Sequence, residues 1–527
     1  MELKRSCGIL LHITSLPGKY GAGTLGEEAF QFIDTIANAG FTFWQILPTG
    51  PVSSSMCYSP YSSVSCFAGN PLMINPDDLT NEAWYKNRKI ILPKKDEHFI
   101  DFPEFEKNMT EFLMEASNNF FNFATADAIS NFNLFCKTHG EEWLDDYALF
   151  QTISEKLNSH NWLSWNSKIA LRDAQMLKKI KSENEELIRY HMFNQYLFYK
   201  QWNSLKEYAN EKGITLIGDM PIYMSINSAD AWANMDILQI DKDKLEPEFV
   251  AGVPPDYFSE TGQLWGNPLY KWTNKDESLN ENTYQWWLKR IRHTETMTGI
   301  TRIDHFRAFE SYWTVDYGED TAIDGQWVKG PGMEFFNRLK KDMGHIPFIA
   351  EDLGILTPEV TELRLGLNLP GMKILQFAFD MNNKNEYLPH NIDTKNCVLY
   401  TGTHDNNTCN GWFYGDEISE EERKYIMKYL HMKDWSDFHW RFIREAYASI
   451  ANLVIIPAQD ILGYGAEFRM NKPGTIENNW IWKLTDNAIT EDIVQKLKYM
   501  AHIFRRIPDC RGSEHTPGMG GQSPNAK

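Results

Sequence analysis

The sequence predicts an α/β fold in which eight parallel strands close into a (β/α)8 TIM barrel, and three observations lead to that prediction. Short, mostly apolar runs recur along the chain, as expected for strands buried on both faces. Helical patterns separate most of these runs, which indicates βα units. Acidic residues gather at or just beyond the C-terminal end of several runs, where such a barrel carries its working face.

The first strand is predicted at 7–12 and the second at 41–47. Between them, residues 27–39 place their apolar side chains on one helical face, and Gly40 supplies the stop. The six further strands are predicted at 214–218, 300–304, 346–350, 373–379, 397–402 and 453–458. Helices predicted between the later strands include 283–298, 333–343, 356–366 and 418–450.

The spacing of the strands is uneven, because a long stretch separates the second strand from the third. We therefore predict a barrel built from 1–50 and 212–506, with a mainly helical subdomain inserted at 51–211 and no separate C-terminal β domain. Within the insertion, 187–208 has a long amphipathic pattern. The segment 510–527 is rich in Gly, Ser and Pro without periodicity, which predicts a disordered tail.

Composition excludes several classes of function. The 527 residues carry a net charge of −19, which argues against nucleic acid or an anionic membrane as a partner. No apolar run is long enough to span a bilayer, and the first residues lack a signal-peptide pattern, so a cytoplasmic location is expected. The seven cysteines have neither disulfide-framework nor zinc spacing, and we expect no metal site.

A glycine-rich segment, 21–26, matches the Gly-x-Gly-x-x-Gly pattern of dinucleotide-binding folds. Eight residues separate it from the end of the first strand at His12, whereas the dinucleotide fingerprint follows its strand directly. The second strand offers Gln45 where an acid would hold a ribose. A glycine-rich turn is the favoured interpretation.

The most informative stretch is 298–307, in which Arg302 lies two residues before Asp304. Residues two apart share a face of a strand, so the arginine charge would keep Asp304 ionised and in place. A carboxylate must be both ionised and fixed in place to act as a nucleophile. Asp219 ends the predicted third strand in a similar way.

Glu351 and Asp405 follow the predicted fifth and seventh strands, so with Asp304 they would meet at one barrel mouth. Any one of these acids alone is better explained as a loop acid or a helix cap. As a cluster they would repel one another, which a structural role does not explain. Neighbouring strands lie about 4.8 Å apart, so Asp304 and Glu351 fit the separation of about 5 Å found in retaining glycosidases.

The segment 252–270 combines turn residues with Tyr257, Phe258, Trp265 and Tyr270. Two interpretations stay open: a packed Ω-loop, or an aromatic wall that stacks against sugars.

Together these segments resemble the α-amylase superfamily and, more specifically, glycoside hydrolase family 77, the 4-α-glucanotransferases known as amylomaltases or disproportionating enzymes. The matching stretches are 8–18, 44–48, 59–61, 67–71, 218–223, 252–270, 350–354, 401–406 and 469–474.

The resemblance implies that Asp304 is the nucleophile, Glu351 the acid/base and Asp405 the stabiliser of the transition state. It implies transfer of α-1,4-glucan segments, including maltooligosaccharides, through a covalent glucosyl-enzyme, with no metal or organic cofactor. The oligomeric state stays open. The substrate-binding residues that it implies are Arg302, His404, Asp219, Tyr61, Asp256, Tyr257, Trp265, Asn267 and Pro268.

The chain departs from the family pattern in two places. Asn407 stands where Asp is usual, and the loop 53–58 lacks the usual early aromatic, which puts a secondary glucan site there in doubt. Two alternative functions remain: a hydrolase of the same superfamily, whose three acids would be the same, and a non-catalytic glucan-binding protein.

Overall fold

The computed structural model describes residues 3–80, 97–255, 259–354 and 356–507. Eight parallel strands form its central sheet; each pairs with the next one along the chain except the fifth with the sixth, and the first pairs with the last. The strands are β1 (Ser6–Leu10), β2 (Phe43–Gln45), β3 (Thr215–Met220), β4 (Ile300–Ile303), β5 (Phe348–Ala350), β6 (Gly371–Ile374), β7 (Cys397–Tyr400) and β8 (Leu453–Pro457).

Contacts between β5 and β6 close the sheet into a barrel. The backbone N–H of Ala350 donates to the carbonyl of Pro370 at 2.9 Å, and Met372 N–H donates to the Asp352 carboxylate at 2.7 Å. Arg364 pairs with the same carboxylate at 2.8 Å. The prediction of an eight-stranded parallel barrel is therefore confirmed.

Helices surround the barrel and fill the connection between β2 and β3. The α-helices are Glu27–Asn38, Pro76–Thr80, Phe102–Phe123, Ala126–His139, Asp145–Leu157, Ser167–Ala170, Ala174–Glu183, Glu185–Glu211, Ala229–Ala233, Glu281–Met297, Gly332–Met343, Pro358–Gly366, Cys409–Tyr414, Glu420–Tyr429, Phe438–Ala448, Ala458–Ile461 and Glu491–Ile503. A π-helical turn spans Gly140–Leu144, and short 3-10 turns occupy Ile13–Ser15, Ser54–Met56, Pro71–Met73, Trp162–Ser164, Met235–Ile237, Phe306–Phe309, Leu375–Ala378 and Ala466–Phe468. No helix in these described segments is both long enough and apolar enough to cross a bilayer.

Two predicted elements differ from the structure. The helix predicted at 418–450 is two helices, because His431 and Asp437 adopt left-handed backbone angles (φ 52° and 55°) that an α-helix does not contain. The strand predicted at 373–379 ends at Ile374, opposite Tyr400, where β7 also ends. Beyond that point the chain has no ladder partner on β7 and turns into a 3-10 helix.

Sequence patterns missed a four-stranded antiparallel sheet beside the barrel mouth. Its strands, in spatial order, are Gly325–Lys329, Ser311–Asp316, Phe249–Val253 and Gln263–Pro268. A two-stranded ladder, Ile240–Asp241 with Glu246–Pro247, lies just before it in the chain. Half of the described part of 252–270 is thus strand rather than irregular loop, and the sheet fixes where Trp265 lies.

The glycine-rich segment 21–26 packs against protein. A Cβ on Gly23 would lie 2.1 Å from the carbonyl oxygen of Ile13, and a Cβ on Gly26 would lie 2.6 Å from the Asn75 side chain. Gly26 is the N-cap of helix Glu27–Asn38. These glycines therefore allow close packing at the helix start, in agreement with the packed-turn interpretation.

The long helix Glu185–Glu211 fixes the segment that follows β2. The side-chain amide of Gln195 both donates to and accepts from the backbone of Gly69, and Gln201 does the same with Asn75. These paired bonds satisfy buried backbone groups outside regular structure. They hold in place the segment that carries Tyr61.

Arg506 closes the end of the barrel where the strands begin, and its side chain is fully buried. Its guanidinium donates to the carbonyls of Ser6 and Ala451 at 3.0 Å and of Tyr447 at 2.9 Å. Burial and the nearby Arg5 lower its pKa to about 10, so it remains charged at neutral pH. Arg506 thus joins the first residue of β1 to the segment that precedes β8.

We expect Arg506→Met to destabilise the fold by about 3 kcal/mol or more, because buried carbonyls would lose a charged donor. Urea unfolding measures this, with Arg505→Met, an exposed neighbour, as the matched control. Equal stability of the two variants would contradict a structural role for Arg506.

Candidate active site

The site at the C-terminal ends of the strands is organised by Arg302 on β4. Nη1 donates to both carboxylate oxygens of Asp219, at 2.8 and 2.7 Å, and Nη2 lies 2.9 Å from Oδ1 of Asp304. Arg302 is 3% exposed. Burial disfavours its charge, but the carboxylates of Asp219 and Asp304 outweigh burial and raise the pKa of Arg302 well above its usual value. The arginine is therefore a fixed cation that orients Asp304.

Tyr61 reaches this centre from the segment after β2. Its hydroxyl donates to Oδ2 of Asp219 at 2.8 Å. Its ring stacks on the imidazole of His404, with centroids 5.0 Å apart and planes 14° apart. Trp480 lies against both rings at 5.8 and 6.0 Å. Tyr61 thus links the Arg302–Asp219 pair to the loop after β7.

Glu351 follows β5 directly and is held by backbone groups. Oε2 accepts from His305 N–H at 2.7 Å and Oε1 accepts from Leu353 N–H at 2.9 Å. His305 has a left-handed backbone (φ 52°), uncommon for a residue with a side chain. With this backbone conformation, the N–H of His305 points at the Glu351 carboxylate. Sequence patterns did not indicate this contact.

The environment of Glu351 favours the protonated acid. Burial raises its pKa to about 7, and the charge on Asp304 acts in the same direction. Arg302 and the two backbone N–H groups oppose this rise without cancelling it. The site therefore places Glu351, an acid with a near-neutral pKa, beside Asp304, which Arg302 orients. Different surroundings of this kind allow two neighbouring acids to take different roles in acid/base chemistry.

Asp405 lies on the loop after β7 and is also held in place. Asn471 Nδ2 donates to Oδ1 at 2.6 Å, and His404 Nε2 lies 3.3 Å from Oδ2. Arg469 donates to the Asp405 carbonyl at 2.5 Å. The segment 469–471 therefore supports the third acid, as well as lying in a matching stretch of the sequence.

Of the aromatic residues predicted in 252–270, Trp265 and Tyr270 have described positions, and Tyr270 is fully buried, so it offers no face to a sugar. Trp265 is 37% exposed, and its ring lies edge-on to His305 with centroids 4.8 Å apart. On the same strand, Asn267 donates to the Met224 carbonyl at 2.9 Å, and Pro268 is buried. Both support the strand that presents Trp265. The predicted Asp256, Tyr257 and Phe258 lie outside the described residues.

Asn407, the departure from the usual acid, has a specific partner. Its Nδ2 donates to Oε1 of Glu417 at 2.6 Å, and Arg469 Nη1 lies 3.6 Å from the same oxygen. An aspartate at position 407 would place a second carboxylate against Glu417. The amide therefore matches the acid that faces it in this chain.

The structure brings together Asp304, Glu351, Asp405, Arg302, Asp219, His404 and Tyr61. Sequence reasoning missed His305 and Asn471. The only available signal for Asn471 was its membership of the matching stretch 469–474. Within the described residues, no group of three or more His, Cys, Asp or Glu side chains is placed to hold a metal ion.

Comparison with known proteins agrees with this geometry. The family model for 4-alpha-glucanotransferase matches residues 11–489. The chain is 44% identical over 505 residues to a 4-alpha-glucanotransferase of Clostridium butyricum, with 94% of this chain and 100% of the relative covered. It is 39% identical over 515 residues to one from Thermus thermophilus, covering 96% of this chain and 100% of that one.

A solved structure described as amylomaltase from Streptococcus agalactiae in complex with acarbose superposes with a TM-score of 0.89. That chain is 38% identical, and the match covers 95% of this chain and 100% of that one. The match spans the barrel and the insertion together. The chain therefore belongs to the 4-alpha-glucanotransferase family.

Proposed function

We propose that Asp304, Glu351 and Asp405 act as nucleophile, acid/base and transition-state stabiliser in transfer between α-1,4-glucans. The observation that carries this assignment is the contrast between two neighbouring acids. Asp304 is paired with the buried Arg302 at 2.9 Å, whereas Glu351 has a pKa raised to about 7. One acid is thus suited to attack and the other to donate a proton.

The reaction follows as a retaining double displacement. Glu351 donates its proton to the glycosidic oxygen while a carboxylate oxygen of Asp304 attacks the anomeric carbon, so that the C–O bond breaks and a glucosyl ester forms. Glu351, now ionised, removes the proton from the 4-hydroxyl of an acceptor glucan. That oxygen attacks the anomeric carbon and releases Asp304. Asp405 stabilises the sugar in both transition states, and His404 holds Asp405.

Binding of the substrate is proposed for residues around this centre. Trp265 offers an exposed stacking face beside His305, and Arg302, Asp219 and Tyr61 form the floor on which the reacting sugar lies. The substrates are maltooligosaccharides and longer α-1,4-glucans. The hydrolase and binding-protein alternatives are disfavoured, because the relatives compared above are named 4-alpha-glucanotransferases.

We also propose that the chain is divided into a catalytic barrel and an inserted subdomain. Residues 1–50 and 212–506 form the catalytic barrel, and 51–211 is an inserted subdomain that contributes Tyr61. The hydrogen bond from Tyr61 to Asp219 supports this division, because a side chain of the insertion completes the barrel site. We place the protein in the cytoplasm. The proposed tail, 510–527, lies outside the described residues.

We expect Asp304→Asn and Glu351→Gln each to lower the turnover of maltotriose by at least about a thousandfold while leaving folding intact. Chromatography of the products should show glucose and a ladder of longer oligomers for the wild type. Only shorter sugars would indicate a hydrolase, and no change would indicate a binding protein. Asp316→Asn and Glu362→Gln, both exposed, are the matched controls. More than about a tenth of wild-type activity in either acid variant would refute its role.

The pH dependence of kcat/KM should report the ionisation of Glu351. Its raised pKa means that the acid form is present below about 7 and is lost as the pH rises through that value. We expect kcat/KM for maltotriose to fall tenfold per pH unit above pH 7.

An α-maltosyl fluoride donor supplies the control for that experiment, because fluoride leaves with little help from an acid. Its alkaline limb should be much weaker than that of maltotriose. Identical limbs for the two donors would assign the titration to a group other than the acid.

Trp265→Ala should remove a stacking surface worth about 1–3 kcal/mol, as aromatic stacking on flat ligands is. If Trp265 binds the acceptor, the loss falls on transfer more than on hydrolysis. The ratio of new reducing ends to transferred segments should then rise, while Trp265→Phe keeps it near the wild-type value. An unchanged ratio at normal overall rate would make Trp265 a packing residue.

A further inference from the structure

The loop 401–409 follows β7 and carries Asp405, the third proposed acid. Its two ends meet at one carboxylate, that of Asp460, which lies in the chain just after β8 and is 1% exposed. We propose that Asp460 is a positioning residue, which holds both ends of the loop 401–409 and so fixes the place of Asp405. The inference rests on the role proposed for Asp405.

Each oxygen of the Asp460 carboxylate accepts a hydrogen bond from a different end of the loop. Oδ2 accepts from the Thr401 hydroxyl at 2.5 Å, where the loop begins. Oδ1 accepts from the backbone N–H of Cys409 at 2.7 Å, where the loop ends. Thr401 and Cys409 are themselves fully buried. Because a buried donor that loses its acceptor costs stability, both bonds should persist throughout the folded state.

The ionised form of Asp460 suits both contacts. A carboxylate only accepts hydrogen bonds, and each of the two groups that face it is a donor. Burial raises the pKa of Asp460 to about 6, and the bonds from Thr401 and Cys409 oppose that rise. The side chain is therefore ionised at neutral pH. An asparagine would present one acceptor oxygen instead of two, so it could not accept from both ends of the loop.

Hydrogen bonds within the loop give its middle part a defined shape. The side-chain oxygen of Asn406 accepts from the Thr403 N–H at 2.8 Å and from the Thr403 hydroxyl at 2.9 Å. The Asp405 N–H donates to the same hydroxyl at 3.3 Å. These bonds join residues of the loop to one another, so they do not fix where the loop lies in the molecule. The bonds to Asp460 attach the loop to the barrel.

The position of Asp460 determines how its loss would affect the reaction. Thr401 and Cys409 lie four residues before and four residues after Asp405. Asp460 therefore acts on Asp405 through the backbone of the loop, whereas Asn471 bonds to the Asp405 carboxylate directly. Because Asp405 is proposed to stabilise the transition state, weaker attachment of the loop should lower kcat rather than raise KM.

A matched pair of variants at Thr401 tests the bond at the beginning of the loop. Thr401→Val keeps the shape of the side chain and removes the donor, whereas Thr401→Ser keeps the donor and removes a methyl group. We expect Thr401→Val to lower kcat for maltotriose about tenfold with KM changed less than twofold, and Thr401→Ser to retain at least half of the wild-type kcat. Equal losses in the two variants, or a loss confined to KM, would overturn the proposal.

Thr152→Val is the control for the loss of a buried hydroxyl. Thr152 is fully buried in the helix Asp145–Leu157, and its hydroxyl donates to the Ala148 carbonyl at 2.8 Å. Its kcat should stay within twofold of the wild-type value, and thermal unfolding shows that each variant is folded at the assay temperature. A loss equal to that of Thr401→Val would attribute the effect to general stability and overturn the proposal.

A double-mutant cycle tests whether Thr401 acts through Asp460. Asp460→Asn should lower kcat, and Thr401→Val should cost less in the Asp460→Asn background than in the wild type, because the bond that it removes is already altered. Multiplication of the two single losses would show that the residues act independently, which contradicts the proposal.

Amide hydrogen exchange provides a readout that is independent of the reaction. Thr401→Val should speed the exchange of a peptide that covers 401–411 and leave a peptide that covers β3 at the wild-type rate. Unchanged exchange in 401–411, or equal acceleration in both peptides, would overturn the proposal. If exchange in 401–411 rises as expected but Asp405→Asn retains full activity, the proposed function fails and the attachment of the loop by Asp460 stands.

Discussion

The charge on Arg302 is the interaction on which the rest of the site depends. A guanidinium buried to this extent needs anions around it, and it has Asp219 through two bonds and Asp304 through a third. The same contacts hold the two carboxylates together where they would otherwise repel each other. Because Tyr61 donates to Asp219, the segment after β2 is attached to the same charge. Removal of Arg302 would leave two acids without their cation and Tyr61 without a fixed partner.

Glu351 shows the consequence of lying near this pair without joining it. It experiences the positive charge of Arg302 and the negative charge of Asp304, and burial decides the balance in favour of the neutral acid. Two backbone N–H groups hold the carboxyl, one from the left-handed His305 after β4 and one from Leu353 two residues further along its own loop. The surroundings of Glu351, rather than the residue type alone, thus set its protonation.

Much of the fold could be predicted from the sequence because strands buried on both faces leave a distinct apolar run, as at 453–458. The spacing of Arg302 and Asp304 likewise predicted their contact, since residues two apart share a strand face. The antiparallel sheet was missed partly because its edge strand Gly325–Lys329 has no buried residue and so leaves no apolar run. The contact of His305 with Glu351 depends on a left-handed backbone angle, which leaves no mark in composition or periodicity.

The bonds of Arg506 bring the two ends of the described chain together at the pole of the barrel opposite the reactive acids. The Ser6 carbonyl and the Arg506 guanidinium are 3.0 Å apart. A linker of a few residues would therefore join residue 507 to residue 3, and new ends could be opened in an exposed loop, as circular permutation requires. For the same reason, a resin or a fused domain attached at residue 507 itself would stand on the far side of the barrel and leave the cleft open to long polysaccharides.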